Sequence, residues 1–253
     1  SPSVPCDNYV TVVWSDRHIT YALPSVERLL GTNVIVVHGD PDVSLPVTVH
    51  EPGLYAGHVL AGLCRPGVPV YRAPSPSSPA LLWTHDSAPL SELVSHMLKT
   101  SDNLYAEQLL RTLGQGTVEA GLQKEAQILP QGYVHRIVDG SGLSRYDLIT
   151  PRELAEVLRL HYQGDLENAL PEAGMDGTLA LRFQGTALDG RLWAKTGSLS
   201  DTSSLAGRMH LPDGRTVICV WMCNAATESV KGFEDKLFLR IYASLTAPGA
   251  ALP

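Results

Sequence analysis

Lysine is scarce in this chain of 253 residues: Lys99, Lys124, Lys195, Lys231 and Lys236 are all there are. With a formal net charge of −7, the sequence lacks the clustered basic surface that binding to nucleic acid demands. It also lacks any apolar run near the roughly 20 residues needed to span a bilayer. The opening Ser1-Pro2-Ser3-Val4-Pro5 has neither the basic nor the apolar part of a secretory signal, so the chain is expected to be cytosolic or to begin downstream of one. The nine histidines form no HxxxH or HExxH pair, and the cysteines form no CxxC pair, so no metal site and no cofactor are expected. Of the four cysteines, Cys219 and Cys223 fall on one face of an apolar strand too far apart to bond, and read as core residues. A Cys6–Cys64 disulfide is a pairing that sequence alone cannot fix.

What the chain does have is an ordinary globular composition, 44% hydrophobic and 18% charged, in which a packed core is expected. Residues 1–50 are β-rich: Tyr9–Trp14 and Asn33–Val37 are runs of β-branched residues, and Gly39-Asp40-Pro41-Asp42 follows as a turn. Two or three such strands make a poor domain alone. From residue 51 the pattern turns helical. Pro52 opens a helix to Leu63, and Leu90–Leu113 holds two helical stretches broken near Thr100-Ser101-Asp102. Thr150-Pro151-Arg152-Glu153 combines an N-cap, an N1 proline and a capping-box glutamate ahead of a further helix. Three strands follow, Leu192–Thr196, Ser204–His210 and Thr216–Cys223, with Pro212-Asp213-Gly214 turning the last pair. A closing helix runs from Ser229 to Leu245 with Phe233, Leu237, Ile241 and Leu245 as its expected core stripe. The order implies an α/β fold, a sheet covered by helices, with a partial β-rich piece at the N-terminus.

Two short motifs carry chemistry. Ser101-Asp102-Asn103 lies at the break between helices, and Lys195-Thr196-Gly197 at the end of a strand. Alone, the first is an ordinary helix cap and the second an ordinary strand end. In this order they match the second and third elements of the Ser-x-x-Lys, Ser-Asp-Asn, Lys-Thr-Gly acyl-transfer set. Acyl transfer needs a nucleophile, a base, a proton path to the leaving amine and donors for an oxyanion. A serine at a helix break exposes its hydroxyl, a facing lysine and threonine suit a carboxylate, and a glycine admits substrate backbone along a strand edge.

Around these motifs, Met97–Glu107, Asp139-Gly140-Ser141-Gly142-Leu143-Ser144-Arg145, Gly174–Leu179 and Ala194–Leu199 resemble the D-alanyl-D-alanine carboxypeptidase/endopeptidase family, the low-molecular-mass penicillin-binding proteins. The resemblance runs from about residue 51 to 245. It implies a penicillin-binding transpeptidase-like fold, with 51–253 as the C-terminal part of the catalytic domain and 1–50 as the remnant of an inserted β-rich region. It implies that Ser101 shuttles protons toward the leaving D-alanine and that Asn103 holds the substrate amide. Lys195 and Thr196 would bind the terminal carboxylate and tune Ser101, Gly197 would let substrate backbone lie along the strand edge, and the Ser198 N–H would supply half of the oxyanion hole. The implied partners are the peptidoglycan stem peptide and β-lactams, in a periplasmic or otherwise extracytoplasmic setting.

One element departs from that pattern. Three residues before the five lysines stand His96, Gly121, Leu192, Glu228 and Phe233, so the chain contains no Ser-x-x-Lys. Ser95 and Lys99 are four apart and read as an exposed helix pair. The nucleophile is therefore expected on an N-terminal segment upstream of Ser1, itself a partner of this chain, and the chain alone is expected to be inactive. A non-catalytic peptidoglycan-binding module and a class A β-lactamase are the alternatives. Glu172 and Asp176 read as solvated loop carboxylates.

Overall fold

The computed structural model describes residues 11–15, 25–38, 49–74, 77–78, 80–81, 84–161 and 165–247. The chain divides into two compact units, Ser1–Thr84 and His85–Pro253. In the first, β1 (Thr11–Ser15), β2 (Ser25–Arg28) and β3 (Val34–His38) form a sheet of order β1-β3-β2. β1 runs parallel and β2 antiparallel to β3. Pro52 then starts α1 (Pro52–Cys64) at its first turn, where its missing N–H costs nothing. Cys64 is exposed and its thiol is free, and Cys6 lies outside the described residues.

The second unit holds α2 (Leu90–Thr100), α3 (Asn103–Leu113), α4 (Val118–Ile128), α5 (Pro151–His161) and the short α6 (Asp165–Ala169). An antiparallel meander follows, β4 (Leu192–Leu199), β5 (Thr202–His210) and β6 (Thr216–Cys223), and then α7 (Lys231–Thr246). The mixed α/β fold expected from the sequence is present, with the strands close to their expected limits. No described helix is long and apolar enough to cross a membrane.

The sheet register explains its two faces. Leu192 pairs with Met209, Ala194 with Gly207 and Thr196 with Leu205. Leu192, Ala194, Leu205, Met209 and Cys219 consequently share one face and pack with Phe238 and Tyr242 of α7 in the buried core. Cys219 is buried as expected, whereas Cys223, at the end of β6, is only half-buried. Burial pushes the Cys219 thiol up to about 11, so it sits in the core as an unreactive thiol.

Of the expected α7 stripe, Ile241 and Leu245 pack against the core, but the fully buried line of the helix runs one residue further on and leaves Phe233 outside. Glu234, Phe238 and Tyr242 are buried, and Phe233 is 59% exposed. The reason is polar. Glu234 accepts hydrogen bonds from Ser203 Oγ (3.0 Å) and Arg182 (2.6 Å), and Asp235 also pairs with Arg182. A buried carboxylate satisfied this fully sets the helix rotation.

The helix α4 carries no strong apolar periodicity, and the sequence reading missed it. It is started by Thr117, whose hydroxyl accepts from Ala120 N (3.2 Å). It crosses α3 at Gly121, where a Cβ would lie 2.3 Å from the carbonyl oxygen of Leu110. Only glycine permits that approach.

Candidate active site

The residues of the two motifs converge at one end of β4. Helix α2 ends at Ser101 in the left-handed conformation (φ 58°, ψ 47°), and α3 begins two residues later. Asp102 caps α3, its carboxylate accepting from Tyr105 N at 3.1 Å. Ending one helix and starting the next so abruptly projects the Ser101 hydroxyl out of the helix axis. Across the gap, Lys195 Nζ donates to Ser101 Oγ at 2.6 Å and to the carbonyl oxygen of Thr196 at 2.8 Å. Burial pushes the Lys195 ammonium below the ordinary lysine range, since no carboxylate offsets the lost hydration.

The edge of β4 changes character here. Ala173 N donates to Leu192 O (2.9 Å) and Ala194 N to Pro171 O (3.0 Å), so the segment Pro171–Ala173 covers the outer edge as far as Ala194. Backbone groups alternate between the two edges of a strand. The N–H groups of Thr196 and Ser198 therefore point to the same outer side, and there the edge borders a cavity of about 420 Å3. Ser101, Asn103, Lys195, Thr196, Gly197 and Ser198 all line it. Gly197 leaves the floor of the cavity to Ser204, whose hydroxyl would be 2.3 Å from an added Cβ. All six residues expected at the site are thus brought together.

The opposite wall is the Gly140–Leu143 turn. Two carboxylates that sequence reading did not single out hold it. Glu107 of α3 accepts the N–H groups of Gly140 (3.0 Å) and Ser141 (3.1 Å), and Asp139 accepts those of Gly142 (2.6 Å) and Ser144 (2.7 Å). Arg145 then reaches across to Ser200 Oγ (2.6 Å) and Asp201 (2.8 Å) beyond the end of β4.

Lys99 and Asp176 differ from their expected solvated roles. They form an ion pair, and Asp176 also accepts from Glu172 N at 2.9 Å. Burial opposes ionisation of Asp176, but the Lys99 ammonium and the Glu172 N–H outweigh it and hold the carboxyl below its ordinary range. Beside this pair, Thr178 Oγ1 accepts a hydrogen bond from Thr196 Oγ1 at 2.9 Å. No local sequence signal marks Thr178 as a neighbour of a strand 18 residues later. Among the described residues no group of three His, Cys, Asp or Glu side chains could hold a metal ion.

A sheet covered by helices, with a serine at a helix break facing a lysine-threonine strand edge, defines the penicillin-binding type of acyl-transfer domain. Residues 10–239 match the D-Ala-D-Ala carboxypeptidase 3 (S13) family, and the chain belongs to that family. It is 33% identical to the D-alanyl-D-alanine carboxypeptidase of Actinomadura sp., over 89% of this chain and 48% of that protein. It is 40% identical to penicillin-sensitive carboxypeptidase A of Dictyostelium discoideum, over 51% of this chain and 27% of that protein. Penicillin binding protein 4 (dacB) from Haemophilus influenzae, solved in complex with a β-lactam, superposes over 92% of this chain and 63% of its own. The TM-score is 0.72 at 26% identity. The chain therefore spans about half the length, or less, of these two curated relatives.

Proposed function

We propose that this chain forms the carboxylate-binding and proton-relaying side of a serine-type D-Ala-D-Ala carboxypeptidase or endopeptidase acting on peptidoglycan peptides outside the cytoplasm. The observation that carries the reading is the 2.6 Å contact between Lys195 Nζ and Ser101 Oγ, which joins two distant motifs over one cavity. In this reading a peptide ending in D-alanyl-D-alanine lies along the open edge of β4 as an added strand. Its terminal carboxylate meets the Lys195 charge and the Thr196 hydroxyl, Asn103 holds an amide, and the Ser198 N–H faces the developing oxyanion. Ser101 passes a proton to the departing D-alanine amine, with Lys195 fixing the hydroxyl. Residues 1–50 belong to an inserted β-rich region and 51–253 to the catalytic domain. The attacking serine comes from a Ser-x-x-Lys segment, which this sequence does not contain. Family membership favours this reading over a class A β-lactamase.

Fluorescent penicillin tests it. The full-length gene product should label covalently on an upstream Ser-x-x-Lys serine, and Ser101→Ala or Lys195→Met in that product should slow labelling by about 100-fold or more. The 253-residue chain should not label. Unchanged labelling in both variants sinks the assignment of Ser101 and Lys195, and labelling of the chain itself overturns the claim that its nucleophile lies elsewhere. A full-length product that binds peptide without labelling is a non-catalytic module.

A further inference from the structure

We infer that Thr178, clamped by the Lys99–Asp176 ion pair, is a positioning residue that sets the Thr196 hydroxyl for a substrate carboxylate. The inference rests on the carboxylate-binding reading of the cleft.

Three independent contacts converge on this small segment. Asp176 is tied at both carboxylate oxygens, one to Lys99 Nζ and the other to the Glu172 N–H. Gly177 (φ +56°) lies so close to α2 that an added Cβ would stand 2.7 Å from the Lys99 carbonyl oxygen. Thr178 then meets Thr196 at 2.9 Å. Lys99 is two residues before Ser101, and Thr196 follows Lys195 directly. The clamp thus fastens the end of α2 to the cleft end of β4, and the two halves of the site are held by a second link behind the Lys195–Ser101 contact.

The hydroxyl pair explains what Thr178 does for the ligand. A hydroxyl has one proton and two lone pairs. Without a ligand, Thr196 spends its proton on Thr178. A carboxylate only accepts hydrogen bonds, so to bind it Thr196 must turn that proton into the cleft. Thr178 can then reverse its role and donate to the oxygen it formerly accepted from. Its proton replaces the one withdrawn, keeps the Thr196 side chain in one rotamer, and polarises the Thr196 O–H toward the carboxylate. Thr178 is outside the cavity lining, so this effect passes through Thr196 alone. Valine at this position keeps the shape and removes the donor, whereas serine keeps the donor.

The test uses two peptides on the chain as it stands: an N-acetylated peptide ending in D-alanyl-D-alanine, and the same peptide with its C-terminus amidated. Dissociation constants are measured by NMR titration for the wild-type chain, Thr178→Val and Thr178→Ser. The wild type should prefer the carboxylate. Thr178→Val should weaken carboxylate binding by roughly fivefold, the loss of about one neutral hydrogen bond, while amide binding stays within about twofold. Thr178→Ser should restore the preference. A general loosening of the fold would weaken both peptides alike, so equal loss, or no loss, in Thr178→Val overturns the positioning role while leaving the cleft reading intact. A wild-type chain without preference for the carboxylate overturns both.

Discussion

Lys195 is the residue on which the site turns, and its burial has a measurable consequence. The ammonium gives up water to stand between the Ser101 hydroxyl and the Thr196 carbonyl, and no carboxylate compensates it. Its pKa in the folded chain is therefore below the ordinary 10.5. Between the lowered value and 10.5 the unfolded chain binds more protons at this position than the folded chain does. In that window stability contributed by this group rises with pH, and below it the full cost of holding a charged lysine in the fold is present. Lys195→Met removes the titration. The stability of Lys195→Met relative to wild type should be greatest near neutral pH and decline as pH climbs toward 10.5, in urea melts on matched samples. A pH-independent difference would mean that Lys195 titrates as a solvated lysine. The same desolvation serves recognition, because a partly dehydrated cation binds a carboxylate more strongly than one fully hydrated.

At the scale of elements, the contrast between α5 and α7 shows what was legible in the sequence. Local signals state their meaning directly. Thr150 caps α5 as its sequence announces, its hydroxyl accepting from Glu153 N at 3.1 Å. The strands β4, β5 and β6 follow as short apolar stretches bounded by turn residues, with β-branched enrichment in β6 alone. The Ser101–Asn103 and Lys195–Gly197 motifs were legible because each packs its chemistry into three adjacent residues. What was hidden depends on partners distant in sequence. Glu153, read as a capping-box glutamate, is fully buried with its carboxylate 2.6 Å from His135, and Glu107 gains its role only through the turn at Gly140, 33 residues on, as Asp176 does through Lys99 of α2, 77 residues back. On α7, apolar spacing favoured Phe233, but the buried Arg182–Glu234–Ser203 network turned the helix so that Phe238 enters the core at 1% exposed. This rotation predicts unequal truncations. Phe238→Ala should cost about 3–5 kcal/mol, and Phe233→Ala, at an exposed position beside Trp221, under about 1 kcal/mol. Chemical denaturation of both variants decides it, and equal losses would restore the stripe expected from spacing alone.

For the whole molecule, the placement of core and cleft separates what the two units contribute. Every residue of the main buried cluster, from Ala173 to Tyr242, lies in the unit His85–Pro253. So do all the cavity-lining residues, the Lys99–Asp176 clamp and the Arg182–Glu234–Asp235 network. The described sheet of the first unit has three short strands, and sheets of that size are marginal without further cover. Stability of the cleft should therefore be a property of the second unit. A fragment of residues 85–253 should fold by itself and reproduce the main calorimetric transition of the entire chain within a few degrees. It should keep the same preference for a D-alanyl carboxylate over its amide. The first unit should add a separate, lower and broader transition, as its small sheet implies. A fragment that fails to fold, or that folds and loses the carboxylate preference, would show that the first unit completes the cleft and does not merely accompany it.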